Sequence, residues 1–88
     1  MISLSKKHQK TLDKIFDTPV RSDVAWRDIE ALFKALGADI EEARGSRVYI
    51  EINGVPSVFH RPHPQKETDK GALKSVQKFL TKAGVVDA

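Results

Sequence analysis

The sequence predicts an α+β fold: a two-layer sandwich in which helices cover one face of a three-stranded antiparallel sheet, preceded by an extra N-terminal helix. Three observations predict it. Val48, Ile50 and Ile52 alternate with Arg47, Tyr49 and Glu51, and Asn53-Gly54 separates this run from a second one, residues 55–60. Apolar residues recur at steps of three and four in two flanking stretches, 26–36 and 72–83, which is the pattern of core-facing helices. Finally, 88 residues leave room for one domain and one small core.

Taken in order, residues 5–16 form a first helix. Leu4, His8, Leu12, Ile15 and Phe16 fall along one side, while Lys6, Lys7, Lys10 and Lys14 lie mostly around the other. Asp17-Thr18-Pro19 ends it, because proline disfavours a helical residue just before itself. Ser22 is expected to cap a second helix over 22–36, with Asp23 in its first turn. Trp26, Ile29, Leu32, Phe33 and Leu36 give that helix its buried side, and Gly37 supplies a left-handed stop. Residues 38–44 read as a short edge strand whose charges discourage further pairing.

Gly45-Ser46 turns the chain into the strand that begins at Arg47. Asn53-Gly54 suits a two-residue type I′ turn, in which both central residues need φ > 0. That turn sets a register: Ile52 faces Val55, Glu51 Pro56, Ile50 Ser57, Tyr49 Val58, Val48 Phe59, and Arg47 His60. In Arg61-Pro62-His63-Pro64 the prolines remove two amide donors and keep the chain extended. Thr68 or Asp69 caps the last helix, about 69–83. Ala72, Leu73, Val76, Phe79, Leu80 and Ala83 form its apolar face, and Gly84 closes it. Lys70, Lys74, Lys78 and Lys82 recur every four residues on the opposite side, about 6 Å apart at the helical rise. The order helix, three strands, helix also occurs in double-stranded-RNA-binding domains, but a fold alone carries no function.

Composition narrows the function classes. There is no cysteine, so disulfides and thiolate metal sites are excluded. No apolar run approaches the length of a membrane span, and the first residues lack the apolar centre of a signal peptide; a cytoplasmic protein is expected. The net charge is +3, unevenly placed. Residues 56–82 hold six Lys/Arg against two acids, whereas 37–55 hold two against four. A basic loop and last helix suit a phosphate backbone, or equally a solvated helix face.

The segments LGA, RGSRVYIEINGV and FHRPHPQKETDKGALKSVQKFLTKAG resemble the HicA toxins of bacterial toxin–antitoxin modules over about 22–85. The resemblance is carried by the Gly45-Ser46 turn, the His-Pro loop followed by Lys66-Glu67, and the Gly71-Ala72-Leu73-Lys74-Ser75 start of the last helix. It implies a fold like a double-stranded-RNA-binding domain over 21–85, with residues 1–20 as a helical extension. It also implies cleavage of mRNA without metal or other cofactor, and a HicB-like antitoxin as partner. The family carries its catalytic histidine directly after Gly-Ser; here that position is Arg47. A guanidinium stays protonated and cannot serve as a general base, but it binds phosphate and stabilises transition-state charge. Three readings follow: another residue supplies the base, the protein binds RNA without cutting it, or its basic face docks an acidic protein.

On the first reading the candidate catalytic residues are His60, Arg47 and His63. His60 stands opposite Arg47, and an imidazole in ordinary surroundings titrates near pH 6.5, which suits proton transfer. The candidate RNA-binding residues are Tyr49, Arg61, Lys66, Lys70, Lys74 and Lys78. Tyr49 shares the polar face with Arg47 and is placed to stack an unpaired base or to pack across the strands. His60 and His63 have the spacing of a metal pair, yet with no obvious third ligand a metal site is not expected. Ser46, Ser57 and Ser75 show no nucleophile-elbow pattern. Trp26 and Phe33 are assigned to the core.

Overall fold

The computed structural model describes residues 4–62 and 67–86. Its elements are α1 (Lys6–Ile15), β1 (Val24–Ala25), α2 (Trp26–Ala35), β2 (Asp39–Glu42), β3 (Arg47–Ile52), β4 (Val55–His60), β5 (Glu67–Thr68) and α3 (Lys70–Lys82). Strands β2, β3 and β4 form one antiparallel sheet in that order, and β1 and β5 form a separate two-stranded ladder. The α+β architecture expected from the sequence is the one observed.

The β3–β4 hairpin has the expected register, from Ile52 opposite Val55 to Arg47 opposite His60. Its turn residues, Asn53 and Gly54, have φ of 52° and 78°, the left-handed geometry that a type I′ turn demands and that asparagine and glycine tolerate best. On the other side of β3, β2 pairs Asp39 with Glu51 through to Glu42 with Val48. Asp39, Glu41 and Glu42 are exposed on this edge, where their charge opposes further strand addition.

The start of α2 differs from expectation. The helix begins at Trp26, Ala25 occupies the cap position without a side-chain hydrogen bond, and Ser22 is not the cap. Residues 24 and 25 are instead extended, with Val24 opposite Thr68 and Ala25 opposite Glu67. Val24 is 3% and Thr68 0% exposed. A serine cap contributes about 1 kcal/mol, whereas burying a valine contributes roughly 1.5–3 kcal/mol, so the tertiary ladder prevails over the local cap. Thr68, the alternative cap of α3, is used up in the same ladder. Asp69 caps that helix, its carboxylate accepting from Ala72 N at 2.7 Å.

The core lies between the sheet and the helices. Val48, Ile50, Ile52 and Phe59 are buried from the sheet, Ile29, Leu32 and Phe33 from α2, and Leu73, Val76, Phe79 and Leu80 from α3; Val55 packs at the margin. Helix α1 adds Leu12 and Ile15 to the same cluster. At its centre the rings of Trp26, Phe33, Phe59 and Phe79 meet with centroids 5.5–6.3 Å apart, in edge-on and tilted contacts that aromatic pairs favour. Asn53 Nδ2 donates to Ala83 O at 2.8 Å, which ties the hairpin tip to the end of α3. The open end of the hairpin, with Arg47 and His60, therefore lies toward the start of α3.

Candidate functional site

Strand side chains alternate between faces. Val48 and Phe59 are buried against the helices, so their neighbours Arg47 and His60 are turned to the opposite, open face of the sheet. The two are directly opposed. Beyond them Arg61 N donates to Ser46 O at 2.8 Å, so the ladder continues one residue past the pair. This puts Arg47 and His60 at a non-hydrogen-bonded position, where opposed side chains approach most closely. Their Cβ atoms are thus about 4.5–5.5 Å apart, near enough for one phosphate group to touch both side chains.

Arg47 and His60 are both exposed. The Arg47 Nε atom makes a long contact of 3.4 Å to Arg44 O. Among the described residues no carboxylate lies within ion-pair distance of this guanidinium, so most of its donors remain open to an incoming anion. Chemically the pair unites a fixed cation with a group able to take or give a proton.

Arg61, one residue further on, is turned to the helix side. Its Nε is 2.6 Å from Glu30 Oε1 and one terminal nitrogen is 2.6 Å from Glu42 Oε2. These two hydrogen bonds raise the Arg61 pKa. Burial alone would raise the Glu30 carboxyl; the hydrogen bonds from Arg61 and from Trp26 Nε1 outweigh it, and the net shift is downward. Arg61 therefore ties α2 and β2 to the end of β4, on the other side of the sheet from Arg47 and His60.

The lysines of α3 form the exposed surface of that helix, because Leu73, Val76, Phe79 and Leu80 turn inward. Lys70, Lys74 and Lys78 thus face away from the sheet, whereas Arg47 and His60 face away from the helices. Lys70 and Lys74 stand toward the Arg47 end of the molecule and Lys78 further toward the hairpin tip. Lys70 and Lys74 also line a groove of about 630 Å³ with Phe16, Pro19, Val20 and Gln77. His63 and Lys66 lie outside the described residues.

Tyr49 joins Arg47 and His60 on the open face, and its hydroxyl donates to Glu51 Oε1 at 3.1 Å. Two neighbours were not singled out from sequence: Glu51, and Val58 directly opposite Tyr49. The alternation that places Arg47 and Tyr49 together also places these two, so the signal was present. Among the described residues no group of three or more His, Cys, Asp and Glu is arranged to hold a metal ion.

A family model described as "HicA toxin of bacterial toxin-antitoxin" matches residues 26–85. No curated protein and no solved structure matches the chain.

Proposed function

The chain belongs to the HicA toxin family of bacterial toxin–antitoxin modules, and from that premise we propose that it is a metal-independent endoribonuclease that cleaves mRNA in the cytoplasm. The observation that carries this reading is the direct opposition of Arg47 and His60 on the open sheet face. The family's catalytic histidine position is Arg47, and His60 stands across the strand pair from it. The base has moved from one strand to the next while keeping its place on the face.

The chemistry follows from the two groups. His60 takes the proton of a ribose 2′-hydroxyl as that oxygen attacks the adjacent phosphorus. The new O2′–P bond forms while the bond from phosphorus to the 5′-oxygen breaks, and that oxygen leaves with a proton from water. Arg47 stabilises the charge that builds on the phosphoryl oxygens, with donors already in position. RNA that passes around the open end of the hairpin reaches Lys70 and Lys74, and more distantly Lys78, on the outer surface of α3, so affinity falls as salt rises. Arg61 supports the site as a brace. Among the described residues no helix is long and apolar enough to cross a membrane. A HicB-like antitoxin, acidic or presenting a strand, binds over the Arg47–His63 region and shuts it.

The test is cleavage of a purified RNA by the His60→Ala variant, with the fold checked by circular dichroism. A general base contributes about 10²–10⁴-fold, so a loss of at least 100-fold is expected. Full activity in the variant would transfer the role to His63. RNA binding without cleavage by the unsubstituted protein would favour a second reading, a non-catalytic RNA-binding module, which the arginine at the family's histidine position supports.

A further inference from the structure

On the open face of the sheet the side chains form a grid. Strand β3 contributes Arg47, Tyr49 and Glu51, and β4 sets His60, Val58 and Pro56 opposite them in turn. Strand β2 adds Glu41 beside Tyr49 and Asp39 beside Glu51. Charge reverses along this grid. The Arg47–His60 end is basic, the Glu51 end is acidic, and the pair Tyr49–Val58 lies between them.

That middle pair is unusual on two counts. Val58 is 53% exposed, the one large hydrophobic side chain left exposed among the described residues. Beside it the Tyr49 phenol leans along β3 to donate to Glu51 at 3.1 Å. This hydrogen bond, with some burial, raises the phenol pKa, so the hydroxyl stays a donor at neutral pH. The result is a half-buried aromatic ring next to an exposed apolar side chain, one residue pair from Arg47 and His60. Along a strand that step is about 7 Å.

What binds there is decided by charge. Asp39, Glu41 and Glu51 repel phosphate, so an RNA whose phosphate sits at Arg47 and His60 cannot run its backbone over Tyr49. A nucleobase is neutral and stacks on aromatic rings whatever its identity. The Glu51 carboxylate then adds selectivity. One of its oxygens takes the tyrosine hydroxyl, and no other donor reaches it among the described residues. An ionised carboxylate only accepts hydrogen bonds. It pairs well with the exocyclic amino groups of adenine, cytosine and guanine. Uracil offers instead one N–H flanked by two carbonyls, which the carboxylate repels.

We propose that Tyr49 and Val58 form a stacking subsite for an unpaired base beside the scissile phosphate, and that Glu51 makes the subsite favour amino-bearing bases over uracil. The inference rests on the ribonuclease reading above and names its substrate class: single-stranded RNA, in contrast to the duplex that the likeness to double-stranded-RNA-binding domains suggests.

The experiment is fluorescence anisotropy with short 2′-O-methyl oligonucleotides, which cannot be cleaved by 2′-hydroxyl attack. The probes are oligo-A, oligo-C, oligo-U and an A·U duplex, titrated with the unsubstituted chain, Tyr49→Ala and Glu51→Gln, each checked for fold by circular dichroism. Oligo-A and oligo-C should bind at least fivefold more tightly than oligo-U and the duplex. Tyr49→Ala should weaken every single strand about tenfold, the scale of one base–aromatic stack. Glu51→Gln should bring oligo-U within twofold of the others. Equal binding of all the single strands, unmoved by Tyr49→Ala, would overturn the subsite and leave the ribonuclease reading standing. Preference for the duplex would overturn it too. Failure to bind any probe would overturn both.

Discussion

The two faces of the β3–β4 hairpin share a backbone and a register, yet they differ in almost every physical respect. One face carries Val48, Ile50, Ile52 and Phe59, each at most 5% exposed. The other carries Arg47, Tyr49, Val58 and His60, open or half-open to solvent. The difference teaches how a small domain builds a site. The closed face holds the strands in one register because a one-residue slip would turn every apolar side chain outward. That same constraint holds Arg47 opposite His60. The two arginines of this region repeat the contrast: Arg47 is left without a carboxylate among the described residues, while Arg61 is held by Glu30 and Glu42.

Five substitutions test this division. Phe59→Ala removes the sheet's contribution to the aromatic cluster and should cost about 3–5 kcal/mol, read as a lower urea midpoint. A loss below 1 kcal/mol would mean that the closed face does not hold the register. Arg47→Ala works on the other face. Cleavage should fall about 10²–10³-fold, the effect of removing one preorganised donor, while the urea midpoint stays within about 0.5 kcal/mol of the unsubstituted chain. A stability loss as large as that of Phe59→Ala would erase the distinction between the faces.

Arg61→Met is expected to behave like a closed-face change, costing about 1–3 kcal/mol because Glu30 loses its charged hydrogen bonds. Its pH dependence has a definite sign. Against the effect of burial, the hydrogen bonds from Arg61 and Trp26 hold the folded-state pKa of Glu30 below the ordinary glutamate value of about 4.3, so its stabilising contribution is fully present above about that pH. It is lost as pH falls through the lowered folded value. The stability gap between Arg61→Met and the unsubstituted chain should therefore narrow in acid; a constant gap down to pH 2 would assign Arg61 a packing role only. The smallest effect is expected on the outer surface of α3. Each of Lys74→Ala and Lys78→Ala should make the salt dependence of RNA binding shallower by at most about 0.7, the value for one phosphate contact on a single strand. Lys74→Ala should have the greater effect, because Lys74 stands nearer the Arg47 end. Equal effects would mean that RNA follows the whole helix.

Much of the open face was legible in the sequence, because strand alternation and an Asn-Gly turn act over two to four neighbouring residues. Together they suffice to place Arg47 against His60 and Tyr49 against Val58. The apolar repeat and a cap at Thr68 or Asp69 likewise mark α3, since helical contacts join residues three and four apart. The start of α2 was not legible: Ser22 is a sound local cap, and only the pairing of residues 24 and 25 with Glu67 and Thr68 displaces it. Nor was the engagement of Arg61, whose partner Glu30 is 31 residues away. From sequence alone Arg47 is a candidate for the scissile phosphate and Arg61 a candidate for the RNA backbone, with nothing to show that only Arg61 is held by carboxylates. The sequence by itself determined which residues share a strand or helix face, because that depends on backbone periods every segment carries within itself. Tertiary structure alone decided which arginine is bound by carboxylates, where α2 begins, and that the α3 lysines and the Arg47–His60 pair lie on opposite sides of the sandwich. Those outcomes depend on groups far apart in the chain, which compete for partners only after the layers have packed.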